Sequence, residues 1–370
     1  MSCIAVVGIV GSAGDYGRWL TRFFADRMGC RVLGVDPADP ASASSAELLQ
    51  HSEVLVFSTP IAHTPALIRE YVAQAGARAH SQLWIDVTSV KAEPVAAMLE
   101  SGAEVLGLHP MTAPPKAPTL RGRVLVACEA RIDRWRGFVD ALYAALEAER
   151  VETSPEHHDR VMALVQALVH AGHLAQAGVL AELSADFGGP AALFAFRSAS
   201  FEMDLCMAER ILAGNPAIYS GIQFDNPAVP AVLQRLEQEI ARMRQLVAQG
   251  PAGRAEFEQT FVLARREAFG AEELARGEHS FERIGYLLAD LAHAEALSVH
   301  LPEDRPGSLR ALLQLFEDAG VNLASIHSSR TPAGEVHFRF SFSHALPRER
   351  LIALCRAIKD SGAGRVLAGH

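Results

Sequence analysis

Cysteine is sparse in this 370-residue sequence. Its five cysteines, Cys3, Cys30, Cys128, Cys206 and Cys355, are odd in number and far apart. No CxxC pair and no Cys/His ligand spacing occurs, so neither a disulfide framework nor a structural zinc site is indicated, and no metal is expected. A positive excess is also absent. With a net charge of −9, the overall field helps neither nucleic acid nor an anionic membrane to bind. No stretch approaches the ~18 uninterrupted apolar residues of a membrane span. The N-terminus runs into an apolar strand, Cys3–Val10, without a basic leader, so a cytoplasmic protein is expected. Lysine is missing from Pro155–Ala294. What is present is an ordinary globular balance, 49% hydrophobic and 21% charged, on a chain long enough for two or three domains.

Three patterns succeed one another along the chain. Up to about residue 153, short apolar runs at Ile4–Val10, Arg31–Val35, Val54–Ser58, Leu83–Val87, Glu104–Leu108 and Val124–Cys128 alternate with helical stretches, among them Tyr16–Met28, Pro65–Ala77 and Arg134–Glu149. Near-continuous Val/Ile/Leu strands separated by helices predict a doubly wound α/β domain of the Rossmann type around a parallel sheet. Residues 154–294 carry almost no strand signal. Val161, Leu164, Val165, Leu168 and Val169 follow the spacing of one helix face, and an all-helical domain for substrate binding and dimerisation is expected. From 295 to 370 the order becomes βαββαβ, the ferredoxin-like arrangement. There Val336, Phe338, Phe340 and Phe342 alternate with His337, Arg339 and Ser341.

Gly8 stands at the end of the first apolar run, and Gly11, Gly14 and Gly17 follow at three-residue steps. Glycines between a strand and a helix let backbone N–H groups close on a pyrophosphate at the helix N-terminus. The second run ends Leu33-Gly34-Val35-Asp36, and Asp36 lies at the distance of a carboxylate that binds the adenosine ribose hydroxyls. A carboxylate there repels a 2′-phosphate, so NAD is expected as cofactor rather than NADP. The spacing is GxxGxxG rather than strict GxGxxG, which leaves open which amides meet the phosphates. In an open α/β sheet the substrate meets the cofactor outside the carboxyl ends of the strands. Ser58-Thr59-Pro60, Asp86-Val87-Thr88-Ser89-Val90-Lys91 and Gly107-Leu108-His109-Pro110-Met111 fall there, and Thr59 is assigned to the cofactor. His109 is the candidate base, since an imidazole of pKa ~6.5 can accept a hydroxyl proton while hydride leaves the same carbon. Ser89 is in position to orient that ring, or to cap the helix starting near Lys91. Lys91 reads as a solvated first-turn residue.

Asp86-Val-Thr-Ser-Val-Lys91, Leu106-Gly-Leu-His-Pro-Met111 and Glu156-His-His-Asp-Arg160 with His170 resemble the motifs of the prephenate dehydrogenase family, over roughly residues 3–290. The resemblance implies oxidative decarboxylation of prephenate, or of arogenate, in tyrosine biosynthesis. It implies His109 as proton acceptor, Ser89 as its orienting partner, Arg210 as the anchor of a substrate carboxylate, and His158 and His170 as substrate contacts. An anionic substrate on an acidic protein makes a forked guanidinium a sensible anchor in its own right. Its alternative is a surface ion pair with Glu209 or Asp204. Two departures bear on substrate choice: Thr112-Ala113 and Pro114-Pro115 after His-Pro, and Glu202 where some relatives carry a basic residue. A β-hydroxyacid dehydrogenase would rely on a lysine in the helical domain, and there is none. A non-catalytic NAD- and amino-acid-sensing protein is the alternative of another class. It need not retain the base.

Pro302-Glu-Asp-Arg-Pro-Gly-Ser-Leu309 and Ala319-Gly-Val-Asn-Leu323 resemble an ACT module. That resemblance implies a regulatory amino-acid site, with Gly307 and Asn322 as its residues and tyrosine as the expected effector, in a homodimer.

Overall fold

The computed structural model describes residues 5–115, 117–292, 296–301, 305–330 and 336–367. Ile4, the domain boundary at 294–295 and Pro302–Asp304 of the C-terminal motif lie outside the described residues. The chain divides into two compact units, Met1–Ala248 and Gln249–His370. The helices up to Ala248 therefore belong by packing with the N-terminal sheet, although their pattern sets them apart in the sequence.

The first unit is built on seven strands: β1 (Val6–Val10), β2 (Arg31–Val35), β3 (Val54–Phe57), β4 (Leu83–Asp86), β5 (Glu104–Pro110), β6 (Val124–Arg131) and β7 (Glu149–Glu152). Their order is β2-β1-β3-β4-β5-β6-β7. All six expected runs are strands. The strands from β2 to β5 in this order are parallel, as expected, and β6 runs antiparallel to β5. The reversal follows from the connection, since the described residues of Met111–Arg123 hold no helix to carry the chain back across the sheet. β7 escaped the sequence reading because Glu-Arg-Val-Glu has no apolar alternation. It is an exposed edge strand, and its charges suit an edge. Gly8 lies inside β1 rather than at its end. A side chain there would collide with Leu48, Ser52 and Leu55.

Helices cover both faces. α1 (Asp15–Asp26) and, after β6, the helix Arg136–Leu146 bury Trp19, Leu20, Phe23, Phe24, Val139, Leu142 and Leu146 on one side. The i, i+3, i+4 spacing of the α1 residues makes this stripe. Ser45–His51, Thr64–Ala75 and Ala92–Leu99 bury Leu48, Leu49, Ile68, Tyr71, Val95 and Met98 on the other. The strand order changes direction between β1 and β3, which sets a crevice at their carboxyl ends.

A helix of 29 residues, Pro155–Leu183, follows. Ser154 caps it by accepting from the His157 amide at 3.2 Å, with Pro155 in the first turn. Its middle, Ala163–Leu168, is a π-helical turn. There the carbonyl of Ala167 accepts from Gln223 Nε2 at 2.8 Å, a side-chain donor for a backbone group the widened turn leaves over. Ile61, Val90, Ala163, Ala167, Ile222 and Val229 form a small core that seats this helix against the ends of the sheet. By length and composition the helix could cross a membrane, with mean hydropathy 1.3 over its most apolar window. No uninterrupted apolar run marks it in the sequence, because Gln166, His170 and His173 punctuate it. Its exposed Leu164, Val165, Val169, Val179 and Leu183 leave an apolar surface.

In the second unit, β8 (Ala296–Leu301), a helix Ser308–Asp318, β9 (Leu323–Arg330), β10 (Val336–Phe342), a helix Arg348–Asp360 and β11 (Arg365–Val366) follow in the expected βαββαβ order. The antiparallel sheet runs β11-β8-β10-β9. Val336, Phe338, Phe340 and Phe342 pack on Leu312, Phe316, Leu354 and Ile358, which is why the strict alternation was diagnostic.

Candidate functional site

The loop between β1 and α1 brings backbone close to backbone. Gly11 adopts φ +87°, and its missing side chain leaves room for the Ser58 carbonyl. A side chain on Gly17 would collide with the Gly11 carbonyl. Gly14 precedes α1 in extended conformation, and no side chain caps the helix, so no side chain takes up its first-turn amides. Asp36, at the end of β2, accepts from the amides of Ala13 (2.9 Å) and Ala38 (2.8 Å). That sets its carboxylate beside the glycine loop. Thr59 lies across the loop, its hydroxyl 2.7 Å from that of Thr64. Glycines that no side chain can replace, an uncapped helix start and an adjacent carboxylate fit a dinucleotide.

His109 is the penultimate residue of β5, buried and paired with Val126 of β6. Its Nδ1 lies 2.9 Å from Nε2 of His158, and its Nε2 lies 3.4 Å from the amide nitrogen of Gln166. His158 Nδ1 lies 2.8 Å from Asp159 Oδ1. The Asp159 carboxylate in turn accepts from the backbone N–H of Lys91 (2.8 Å) and of Ala92 (2.9 Å). It therefore caps the helix Ala92–Leu99, whose own cap residue offers no acceptor. Asn226 donates to the Asp159 carbonyl at 2.7 Å and fixes the same stretch.

Lys91 is not solvated. It is fully buried, donating to the Asp86 carboxylate and, at 2.8 Å, to the Leu108 carbonyl beside His109. Asp86 also accepts from the Thr88 amide at 2.9 Å. The absence of a side chain on Gly107 lets the lysine stem pass, since a Cβ there would stand 3.2 Å from Lys91 Cδ.

Burial holds the His109 imidazole well below its ordinary pKa, and the neighbouring His158 and Lys91 add to the effect. His158 is also lowered, by burial first, against the opposing pull of Asp159. Both rings are neutral near pH 7, so His109 has a lone pair for a proton. A stability effect follows. The unfolded chain protonates these rings near pH ~6.5, whereas the fold keeps them neutral to lower pH. Below that pH the unfolded state binds more protons, and stability falls by up to about 1.4 kcal/mol per pH unit for each ring. Above it the two rings contribute no slope. Urea unfolding at a series of pH values tests this, and equal stability at about pH 7 and about pH 5 would contradict it.

Ser89 is half-buried at the end of the β4 loop, and neither His109 ring nitrogen is bonded to it. The partner of His109 is His158, whose two ring nitrogens are both engaged, which leaves no ring nitrogen of His158 for a substrate. Arg210 is exposed and forms no ion pair or hydrogen bond among the described residues. Asp204, one of its possible partners, lies instead 3.6 Å from His173. His170 packs edge-on against Tyr219, with ring centroids 5.1 Å apart. Burial and the positive charge of Arg210 lower its pKa, so the two side chains are electrostatic neighbours. Gln166 Oε1 and His170 Nδ1 are buried atoms without a hydrogen-bond partner among the described residues, as expected of groups that bind a polar ligand. Gln166 was missed in the sequence. The signal was there in the polar stripe His158, Gln166, His170 at helical spacing. Glu202 is paired with Arg197 at 3.1 Å, and Arg197 lies 4.3 Å over the Phe194 ring. Thr112 and Ala117 in the proline-containing loop accept from Tyr16 (2.8 Å) and Trp19 (2.9 Å) of α1. In the second unit Gly307 takes φ +95° at the start of Ser308–Asp318, and Asn322 is exposed, its carbonyl accepting from the Ser343 amide at 3.1 Å.

Comparison with known proteins bears on this geometry. Residues 154–261 match the family model for the prephenate dehydrogenase dimerization domain, and residues 296–354 match that of the ACT domain. The chain is 23% identical to a Methanocaldococcus jannaschii protein described as a probable arogenate/prephenate dehydrogenase, over 77% of this chain and 66% of that one. It is 30% identical to the T-protein of Enterobacter agglomerans over 66% of this chain and 63% of the relative. It thus spans a little less than two thirds of these two relatives. It is 29% identical to a 4-amino-4-deoxyprephenate dehydrogenase of Streptomyces pristinaespiralis, over 74% of this chain and 92% of the relative. Among solved structures, a prephenate dehydrogenase from A. aeolicus in complex with hydroxyphenyl propionate and NAD+ superposes with a TM-score of 0.56 at 19% identity. That match covers 72% of this chain and 99% of that one, and at this identity it speaks for the fold.

Proposed function

We propose that the chain, whose residues 154–261 and 296–354 match the models for the prephenate dehydrogenase dimerization domain and the ACT domain, is an NAD-dependent dehydrogenase of that family that oxidatively decarboxylates prephenate to 4-hydroxyphenylpyruvate in tyrosine biosynthesis. The observation that carries the reading is the neutral, buried imidazole of His109 at the carboxyl end of β5, on the crevice side of the sheet. The glycine loop, Thr59 and Asp36 would hold the cofactor. When bound, NAD supplies the acceptor for the hydride from ring carbon C4. His109 takes the C4 hydroxyl proton, and the O–H electron pair becomes the second bond of a C4 ketone. That ketone is conjugated with the ring carbon bearing the carboxylate, so the C–C bond to the carboxylate breaks, CO2 departs, and the bonding pair passes through the ring to the ketone oxygen, which takes back the proton from His109 as the ring becomes aromatic. Arg210, without an ion-pair partner among the described residues, supplies the charge to anchor a substrate carboxylate, with His170 and Gln166 as the nearby polar groups. The protein's part is mainly positioning and one base.

Arogenate differs from prephenate in an amine in place of the side-chain ketone. Parallel kinetics of NADH formation on the two substrates decide between them, and activity on neither would end the proposal. The exposed apolar surface of Pro155–Leu183, together with Phe196 at 88% exposure, supports a homodimer formed through the matched dimerization domain. A cytoplasmic setting belongs to the same reading.

The ACT domain supports regulation by a small molecule, with tyrosine as the proposed effector and Gly307 and Asn322 as its site. Tyrosine is expected to lower the activity of the whole chain and to leave a version ending near Ala294 unaffected. Equal responses of the two proteins would reject the regulatory role.

A further inference from the structure

The hydrogen bonds behind His109 dictate which of its nitrogens carries the proton. Asp159 accepts two backbone N–H groups, from Lys91 at 2.8 Å and Ala92 at 2.9 Å, one on each oxygen. As a carboxylate it has only acceptor capacity. The hydrogen in its 2.8 Å contact with His158 therefore sits on His158 Nδ1. A neutral ring with a proton on Nδ1 has a bare Nε2, so His158 Nε2 accepts in its 2.9 Å contact with His109. The hydrogen of that bond belongs to His109 Nδ1. By elimination, the lone pair of His109 is on Nε2, the nitrogen that the amide nitrogen of Gln166 approaches to 3.4 Å.

We infer that His158 and Asp159 form a relay that fixes the tautomer of His109 from the N-terminus of the helix Ala92–Leu99, with His158 as a positioning residue. The arrangement has the logic of a carboxylate orienting a catalytic imidazole, with one histidine interposed. The tautomer stands on this geometry together with the neutrality of the two buried rings, whereas its consequence for turnover rests on the dehydrogenase reading. When His109 Nε2 takes the substrate hydroxyl proton, Nδ1–H continues to donate to His158. The new positive charge then faces a chain of dipoles ending in a carboxylate, and no proton need leave the relay. Gln166 gives up its contact to the substrate hydroxyl.

The test uses the full chain with 15N-labelled histidine. Two-bond 1H–15N correlation spectra of the wild type are expected to show His109 in the Nδ1–H form. In His158→Phe this preference is lost, and kcat falls roughly 100-fold with KM changed no more than about threefold. In His158→Gln the amide oxygen accepts from His109 and the amide nitrogen donates to Asp159, so the tautomer and most of the turnover return. That variant also keeps the question decidable if the phenylalanine variant does not fold. An Nε2–H form in the wild type overturns the inference. So does wild-type turnover in His158→Phe, or a glutamine variant as impaired as the phenylalanine one. If the wild type forms no NADH with either substrate, the dehydrogenase reading falls, and the spectra still decide the tautomer.

Discussion

In the His109→Asn variant kcat for NADH formation is expected to fall about 10³-fold, within the 10²- to 10⁴-fold range of general-base removal, while KM changes little. Asparagine keeps a polar group at the end of β5 and can still accept from Gln166, but it cannot take a proton at neutral pH. NAD binding is expected to be unaffected, because the glycine loop, Asp36 and Thr59 follow β1, β2 and β3, away from β5. Arg210→Ala serves as the contrast. It removes a charge-assisted contact worth ~1.5–3 kcal/mol, so KM is expected to rise about 10- to 100-fold with a smaller effect on kcat. Initial rates over a substrate series separate the two cases. Near-normal kcat in His109→Asn would remove that side chain from the chemistry, and an unchanged KM in Arg210→Ala would remove the anchor.

Lys91→Met is expected to destabilise the protein by about 3–5 kcal/mol, the cost of leaving a buried carboxylate without its counter-charge. Lys91 and Asp86 are both fully buried, and the Leu108 carbonyl also loses a donor. Methionine preserves most of the stem volume, so the effect reports charge rather than a cavity. Adding Asp86→Asn is expected to restore most of the loss, because the amide oxygen still accepts from the Thr88 N–H and no unpaired charge remains. Denaturant unfolding of the single and double variants measures both effects. A single variant that loses less than about 1 kcal/mol would show the pair to be dispensable.

Each element that was legible in the sequence had a local signature. The six apolar runs became strands because near-continuous Val/Ile/Leu segments bury on both faces. The strict alternation of Val336 to Phe342 marked a sheet with one face on a core. The glycines at 11, 14 and 17 mark close backbone approach, and His109 was found as a histidine closing a buried strand. Where local signal was weak, detail was lost. β7 carries no apolar pattern, and the reversal of β6 depends on what the connecting loop fails to contain. The π-helical turn at Ala163–Leu168 is not marked by any residue type, yet it holds Gln166 beside His109.

The partners of the site residues were not legible. Lys91 read as solvated because a lysine in the first turn of a helix usually is, and only the meeting of β4 and β5 shows that Asp86 lies within its reach. Ser89 follows β4, the strand beside the one that carries the candidate base, but the ring that meets His109 comes from the helix that opens at Pro155. Asp159 looked like a helix residue beside two histidines. Its carboxylate closes the end of another helix 67 residues away in the chain. The sequence by itself determined the element types, their order and the chemical groups on offer, since these depend on periodicity and composition over a few residues. The tertiary structure alone decided which groups share a proton, which charge is buried and which guanidinium has no ion-pair partner among the described residues. Those properties arise between atoms whose separation in space bears no relation to their separation along the chain.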